Sequence, residues 1–205
     1  QIEKNREKAE TSSYWANWWR VYGLGEIGSL EGVIFNNWKT IDTIPSEAKL
    51  IGIGLDFGYT NDPTSAIEIY NYNGQRIINE ICYRTGMVNS DIAKVLPNHV
   101  TIYADSSEPK SIEEIRRFGK MIKGVTKGVD SIKFGIDVMQ RQEYLVTSSS
   151  TNLIKELRSY CWSVKKDGEK TNVPIDHFNH AIDALRYHEM ETLGLKKNYG
   201  QYNTR

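Results

Sequence analysis

Three aspartates, Asp56, Asp105 and Asp183, stand where a fold could bring their carboxylates together. Asp56 closes the apolar run Leu50–Leu55 and is followed at once by Gly58, Asn61, Asp62 and Pro63, a pattern that delivers a carboxylate to the rim of a sheet. Asp105 closes a second strand-like run, His99–Ala104, ahead of Ser106-Ser107-Glu108-Pro109. Asp183 belongs to a helical pattern running from about Asp176 to Leu193. At about 100° per residue, Asp176, His180 and Asp183 share one face there, while Phe178, Ala181, Ile182 and Leu185 gather on the other. Carboxylates shared between two divalent cations about 3.5–4 Å apart are the arrangement that hydrolyses phosphodiesters, and an all-oxygen set suits hard Mg²⁺ or Mn²⁺. His180 reads as a ligand for the softer Mn²⁺ or as a group that orients the carboxylates. Closely spaced Cys/His ligands are absent, which argues against zinc. The structural alternative, that Asp56 merely ends its strand, leaves the other two acids unexplained.

The elements that must position these groups follow in order. Strands over Leu50–Asp56, Ser65–Tyr70 and Arg76–Tyr83, joined by short connections with a turn at Asn71-Tyr72-Asn73-Gly74, predict an antiparallel meander. A short helix over Val88–Leu96, with Ser90 as its cap, precedes the strand His99–Ala104. A helix over Lys110–Phe118, opened by Glu108-Pro109, leads to a strand at Met121–Val125. A helix at Ser131–Met139, a strand at Glu143–Val146 and a helix at Asn152–Tyr160 come next. Trp162–Val173 predicts a hairpin with Asp167-Gly168 at its tip. Three meander strands followed by strand–helix alternation predict an α/β fold of RNase H-like layout: a mixed sheet of five or more strands, helices on its faces and a small hairpin inserted. That layout sets the first and fourth strands side by side, and Asp56 beside Asp105.

At 205 residues the chain is long enough for one domain with an appendage, and its 26 basic residues balance 26 acidic ones. No overall field points to nucleic acid or membrane, and no apolar run approaches the roughly 18 residues of a membrane-spanning helix. The two cysteines, Cys82 and Cys161, lie far apart without metal-site spacing, which points to a reducing cytoplasm. The chain opens on Gln1 rather than Met, as a piece of a longer polypeptide would. Residues 1–48 read as a connector: four of the five tryptophans lie ahead of Lys49, and Gly23, Gly25, Gly28 and Gly32 interrupt any long helix. Tyr22–Trp38 is expected as a loop and Ile41–Pro45 as a hinge. The main domain is expected over 49–205.

Local charge is less even. Lys110–Lys133 holds seven Lys/Arg against three Asp/Glu, which makes Lys110, Arg116, Arg117 and Lys120 candidates for sequence-independent phosphate contacts. Lys165, Lys166 and Lys170 cluster about the hairpin and could lie against a nucleic-acid backbone. Asp62 reads as a turn former in preference to an extra acid of the site, Glu108 equally as a helix-start residue and as a group near Asp105 that reaches the ions through water, and His177 as a solvated residue at the start of the last helix. No P-loop occurs.

Asp56-Phe57-Gly58-Tyr59-Thr60-Asn61-Asp62-Pro63-Thr64-Ser65, Tyr103-Ala104-Asp105-Ser106-Ser107-Glu108-Pro109-Lys110-Ser111-Ile112 and His180-Ala181-Ile182-Asp183-Ala184-Leu185-Arg186-Tyr187, in that order, resemble the nuclease domain of tailed-bacteriophage terminase large subunits. The similarity extends over Lys49–Glu189, and Trp15–Pro45 resembles the stretch leading out of the family's ATPase domain. The resemblance implies a metal-dependent endonuclease that cuts concatemeric double-stranded DNA during packaging. It puts the family's metal-binding acids at Asp56, Asp105 and Asp183 and its accessory histidine at His180, with Asp176 as a further candidate and two Mg²⁺ or Mn²⁺ ions as cofactors. Implied partners are DNA, an upstream ATPase domain of the same polypeptide, the small terminase subunit and the portal protein. The implied location is the host bacterial cytoplasm, outside the mature virion. Two rival readings are an actin-like or sugar-kinase ATPase, from the Asp-x-Gly-x-Thr likeness of Asp56–Thr60, and a non-catalytic module docking on capsid or portal, from the aromatic-rich opening.

Overall fold

A computed structural model describes Trp19 and residues 32–165 and 170–194. The aromatic opening at Tyr14-Trp15 and Trp18, the glycines at 23, 25 and 28, Lys166 and the Asp167-Gly168 tip lie outside the described residues. The strands are β1 (Trp38–Ile41), β2 (Lys49–Asp56), β3 (Thr64–Tyr72), β4 (Gln75–Arg84), β5 (Ile102–Ala104), β6 (Ile122–Gly124), β7 (Tyr144–Thr147), β8 (Trp162–Val164) and β9 (Lys170–Pro174). The helices are α1 (Asn89–Val95), α2 (Pro109–Arg117), α3 (Ser131–Gln140), α4 (Thr151–Ser159) and α5 (His180–Leu193). No helix among them is long and apolar enough to cross a membrane.

Seven strands form one mixed sheet in the order β1-β7-β4-β3-β2-β5-β6. β2, β3 and β4 make the expected antiparallel meander, and β5 runs parallel to β2, pairing Leu55 with Ala104. β2 decides what each face can hold. Successive side chains alternate between faces, so Ile53 and Leu55 enter a core with Ile92, Ile102, Ile112 and Ile115 beneath α1 and α2. Gly52, Gly54 and Asp56 take the opposite face, where α5 packs across β2, β3 and β5. A Cβ on Gly54 would stand 1.7 Å from the Ala184 carbonyl oxygen. The glycines therefore let the helix backbone rest directly on the strand, and the aspartate ending the same face meets the helix start.

The described residues fall into two compact units, one of 37–154 with 179–194 and the other of 32–36 with 155–165 and 170–178. The larger holds the seven-stranded sheet. In the smaller, β8 and β9 form the expected hairpin, Val33 bridges to Cys161, and the Phe35 and Tyr160 rings stack at 6.2 Å.

Four local expectations are corrected. Trp38–Ile41 is a strand rather than the end of a loop and the start of a hinge: its four residues pair in parallel with β7, a partner invisible to local pattern. The run His99–Ala104 shortens to Ile102–Ala104. Ser90 lies inside the first turn of α1, whose N-cap is Val88 without a side-chain hydrogen bond. The last helix begins at His180, not Asp176, because Phe178 takes a left-handed backbone conformation (φ 56°) that no right-handed helix continues. Asp176 therefore does not share a helical face with His180 and Asp183.

Candidate active site

Three elements of the larger unit deliver the acids to the carboxyl-terminal edge of the parallel pair β2 and β5, the edge where open α/β sheets place their ligand sites. Asp56 ends β2 opposite Ser65, Asp105 follows β5 by one residue, and Asp183 lies in the first turn of α5. Asp56 is 8 % exposed. Its carboxyl is pushed up to about 6, by burial above all and also by the neighbouring charges of Asp183 and Asp105, against the opposing hydrogen bond from His180. The three acids are thus electrostatic neighbours.

His180 is the hub of the Asp56 side. Its Nδ1 lies 3.3 Å from Asp56 Oδ2 and its Nε2 lies 3.6 Å from Asp62 Oδ1. The loop from Phe57 to Pro63 closes on itself to make that approach: the Thr64 hydroxyl donates to the Gly58 carbonyl at 2.7 Å, and a Cβ on Gly58 would meet the Asp62 carbonyl oxygen at 2.3 Å. Asp62, expected first as a turn residue, is carried back toward the imidazole. Thr64 is fully buried. Thr64→Val is expected to cost about 1–2 kcal/mol in urea denaturation, because it leaves the Gly58 carbonyl unpaired.

Asp105 and Asp183 are each closed by a cation. Lys127 Nζ lies 2.5 Å from Asp105 Oδ1, which also accepts the Ser107 N–H at 2.8 Å; the Tyr187 hydroxyl is 3.3 Å from Asp105 Oδ2. Burial raises the Asp105 carboxyl, but Lys127 and Ser107 together bring it below the ordinary carboxylate range. Arg186 Nη2 and Nε lie 2.9 and 3.1 Å from Asp183 Oδ1. That pair lowers Asp183 less than burial raises it. Burial and the surrounding carboxylates push the Tyr187 phenol far up, so it stays a donor.

Sequence pattern alone assigns no role to Lys127, Arg186 or Tyr187. Arg186 and Tyr187 follow Asp183 and were legible as helical i,i+3 and i,i+4 neighbours. Lys127 carries no local signal, since it looked like one more cation in a basic tract. Glu108 and Asp62 line a cleft of about 700 Å³ between the Phe57–Asp62 loop and the starts of α1 and α2. Asp176 is exposed and His177 half-buried, both in the smaller unit.

The basic candidates divide. Lys110, Arg116 and Arg117 are exposed on α2, with both arginines ion-paired to Glu113. Lys120 is 9 % exposed, and its ammonium donates to the Leu96 carbonyl and the Asn98 side chain. It holds the end of α1 and is not free for a phosphate. Lys120→Met is expected to cost about 1–3 kcal/mol in thermal or urea denaturation by orphaning those acceptors, and to leave DNA affinity in a filter-binding assay unchanged. Lys165 is exposed and Lys170 begins β9.

Three carboxylates at one sheet edge are, by donor chemistry, a fit for hard divalent ions. As the side chains stand, no three His, Cys, Asp or Glu among the described residues are grouped to hold a metal. Asp105 and Asp183 would first have to turn from, or share, their cations.

A mixed sheet with acids at the ends of two adjacent parallel strands and on the helix across them defines the RNase H-like class. Residues 56–188 match the family described as Terminase RNAseH like domain, and the chain belongs to that family. Among solved structures it is similar to the g2p large terminase nuclease domain of bacteriophage SPP1 with bound Mn, at 27% identity over 77% of this chain and 97% of that one, TM-score 0.65. It shares the fold of the large terminase of a thermophilic bacteriophage, at 21% identity over 87% of this chain and 51% of that one, TM-score 0.63. The chain thus spans about half the length of that thermophilic phage's protein. The P22 large terminase nuclease domain is 14% identical over 78% and 92% of the two chains, TM-score 0.58. No curated protein matches it by sequence.

Proposed function

We propose that this chain is the endonuclease part of a bacteriophage DNA-packaging terminase, hydrolysing phosphodiester bonds of concatemeric double-stranded DNA with two Mg²⁺ or Mn²⁺ ions. The observation that carries this reading is that Asp56, Asp105 and Asp183, on three elements far apart in sequence, lie at one sheet edge, where the charges of the other two act on Asp56. The Mn bound by the SPP1 relative supports the choice of metal.

Asp56, Asp105 and Asp183 would hold the ions, which when bound supply a water of lowered pKa and neutralise charge at the departing oxygen. The chain's own residues do the positioning. His180 holds the Asp56 carboxylate from one side, Arg186 fixes Asp183 from within the helix, and the Tyr187 hydroxyl steadies Asp105. Burial keeps Asp56 out of bulk water, so its charge calls for a cation. Lys110, Arg116, Arg117 and the hairpin lysines Lys165, Lys166 and Lys170 would meet DNA phosphates without reading sequence, which leaves site choice to a partner.

The same reading makes residues 1–48 the connector from an ATPase domain of the same polypeptide, its Trp38–Ile41 stretch joining the sheet as β1, and 49–205 the body of the nuclease domain. Its partners are then the small terminase subunit and the portal, and its place is the host cytoplasm, outside the mature virion. The test is conversion of supercoiled plasmid by the purified chain with Mn²⁺, Mg²⁺, Ca²⁺ or EDTA. Cutting with Mn²⁺ or Mg²⁺ and none with EDTA is the expected result. A folded but inert protein, or equal cutting by Asp183→Ala, would overturn the reading.

A further inference from the structure

Lys127 is built into the acidic edge, not draped over it. Its ammonium lies 2.5 Å from Asp105 and 5.1 Å above the Tyr187 ring, while the Tyr187 hydroxyl reaches the other oxygen of the same carboxylate. The backbone just ahead of it is tied down: Val125 N–H donates to the Ala104 carbonyl and Thr126 N–H to Glu191 Oε1, each at 2.9 Å. The charge of Lys127 also acts on Asp183, so one ammonium serves two of the three acids.

The two cations at this edge differ in their freedom. Arg186 is 2 % exposed, locked on Asp183 within its own helix. The Lys127 side chain is 30 % exposed, on a flexible four-carbon stem beside Gly128, and it can leave. With Asp56, Asp105 and Asp183 ionised, Arg186 brings the formal charge from −3 to −2 and Lys127 to −1. Without Lys127 the edge carries the charge a divalent ion neutralises.

We propose that Lys127 is the resident counter-ion of this site: it holds Asp105 in place when no metal is bound and competes with the divalent ion for that carboxylate, so that it sets the site's metal affinity. The proposal rests on the carboxylates being metal-holding groups. Removing a unit charge this close to a ligand oxygen strengthens cation binding by about tenfold or more.

The experiment needs no DNA. Mn²⁺ is titrated into the full chain while free Mn²⁺ is followed by electron paramagnetic resonance, and the melting temperature is read in EDTA and in saturating Mn²⁺. Lys127→Met and Lys127→Gln are expected to bind Mn²⁺ about tenfold more tightly, to melt lower than wild type in EDTA, and to recover in Mn²⁺. Lys127→Arg should stay near wild type. Lys123→Met, which removes a cation lying 4.6 Å over the Tyr103 ring, should leave Mn²⁺ affinity unchanged. If wild type binds Mn²⁺ in a way that Asp105→Asn abolishes, yet neither neutral variant binds more tightly, the counter-ion role fails while the metal site stands. If wild type binds no Mn²⁺, both fail. A merely structural lysine would lower melting equally with and without metal, and that outcome also overturns the proposal.

Discussion

Asp56→Asn is expected to abolish metal-dependent plasmid cleavage, by at least about a thousandfold, while making the metal-free protein more stable at neutral pH. The loss follows from its place: Asp56 is the most buried of the three acids and the one that feels the charge of both others. A thousandfold is about 4 kcal/mol of transition-state stabilisation, within what a mispositioned cation forfeits. The gain in stability follows from the same burial. The carboxyl titrates near 3.8 in the unfolded chain and at about 6 in the folded one. Between those values the folded state binds more protons, so this group's contribution is fully present below about pH 4 and is lost as pH rises through 6. About two pKa units correspond to at most about 3 kcal/mol at pH 7.5.

Asp105 works in the opposite sense, since its lowered carboxyl contributes stability that disappears only on stronger acidification. Urea denaturation in EDTA should therefore show wild type losing stability from pH 5 to 7.5, with Asp56→Asn losing less and the two converging toward acid. Equal stability of the two proteins at pH 7.5 would mean that His180 already offsets the buried charge.

Gly54→Ala is expected to be among the most damaging single-methyl changes in the larger unit. The added carbon would fall 1.7 Å from the Ala184 carbonyl oxygen and 2.4 Å from its carbon. Both belong to the backbone of α5, so no rotamer change relieves the clash; the helix must lift from β2. That would withdraw His180 and Asp183 from Asp56 along with the apolar face that Ala181, Ile182 and Leu185 bury. Overpacking of this kind costs about 3 kcal/mol or more. Loss of soluble protein, or a melting temperature lower by many degrees together with loss of Mn²⁺-dependent cutting, is the expected result. Gly128→Ala is the control, because nothing lies within 4 Å of a Cβ there, and its stability should stay within about 0.5 kcal/mol of wild type. If Gly54→Ala folds and cuts like wild type, the helix does not rest on the strand as described.

Strand alternation in β2 and the acid at its end were legible in the sequence because the period of a strand is local: it is carried by neighbouring residues. The same holds for the meander, for the helix periodicities and for the order of the three acid-bearing motifs, from which the family could be named. The start of α5 was not legible. Periodicity extends the helix back to Asp176, whereas the left-handed backbone at Phe178 ends it, and that conformation has no signal in a bulky residue. β1 escaped notice because four residues become a strand only by lying beside β7.

The sequence by itself determined which carboxylates exist, on which elements, and that hard divalent ions suit them. Tertiary structure alone decided what faces each of them. Asp62 approaches His180 only when Thr64 closes its loop on Gly58, Lys120 leaves the surface only when α1 ends above it, and Lys127 meets Asp105 only when β6 sets its following loop beside β5. Each of these pairings is made across the chain, and pairings of that kind are fixed by packing, not by neighbours in sequence.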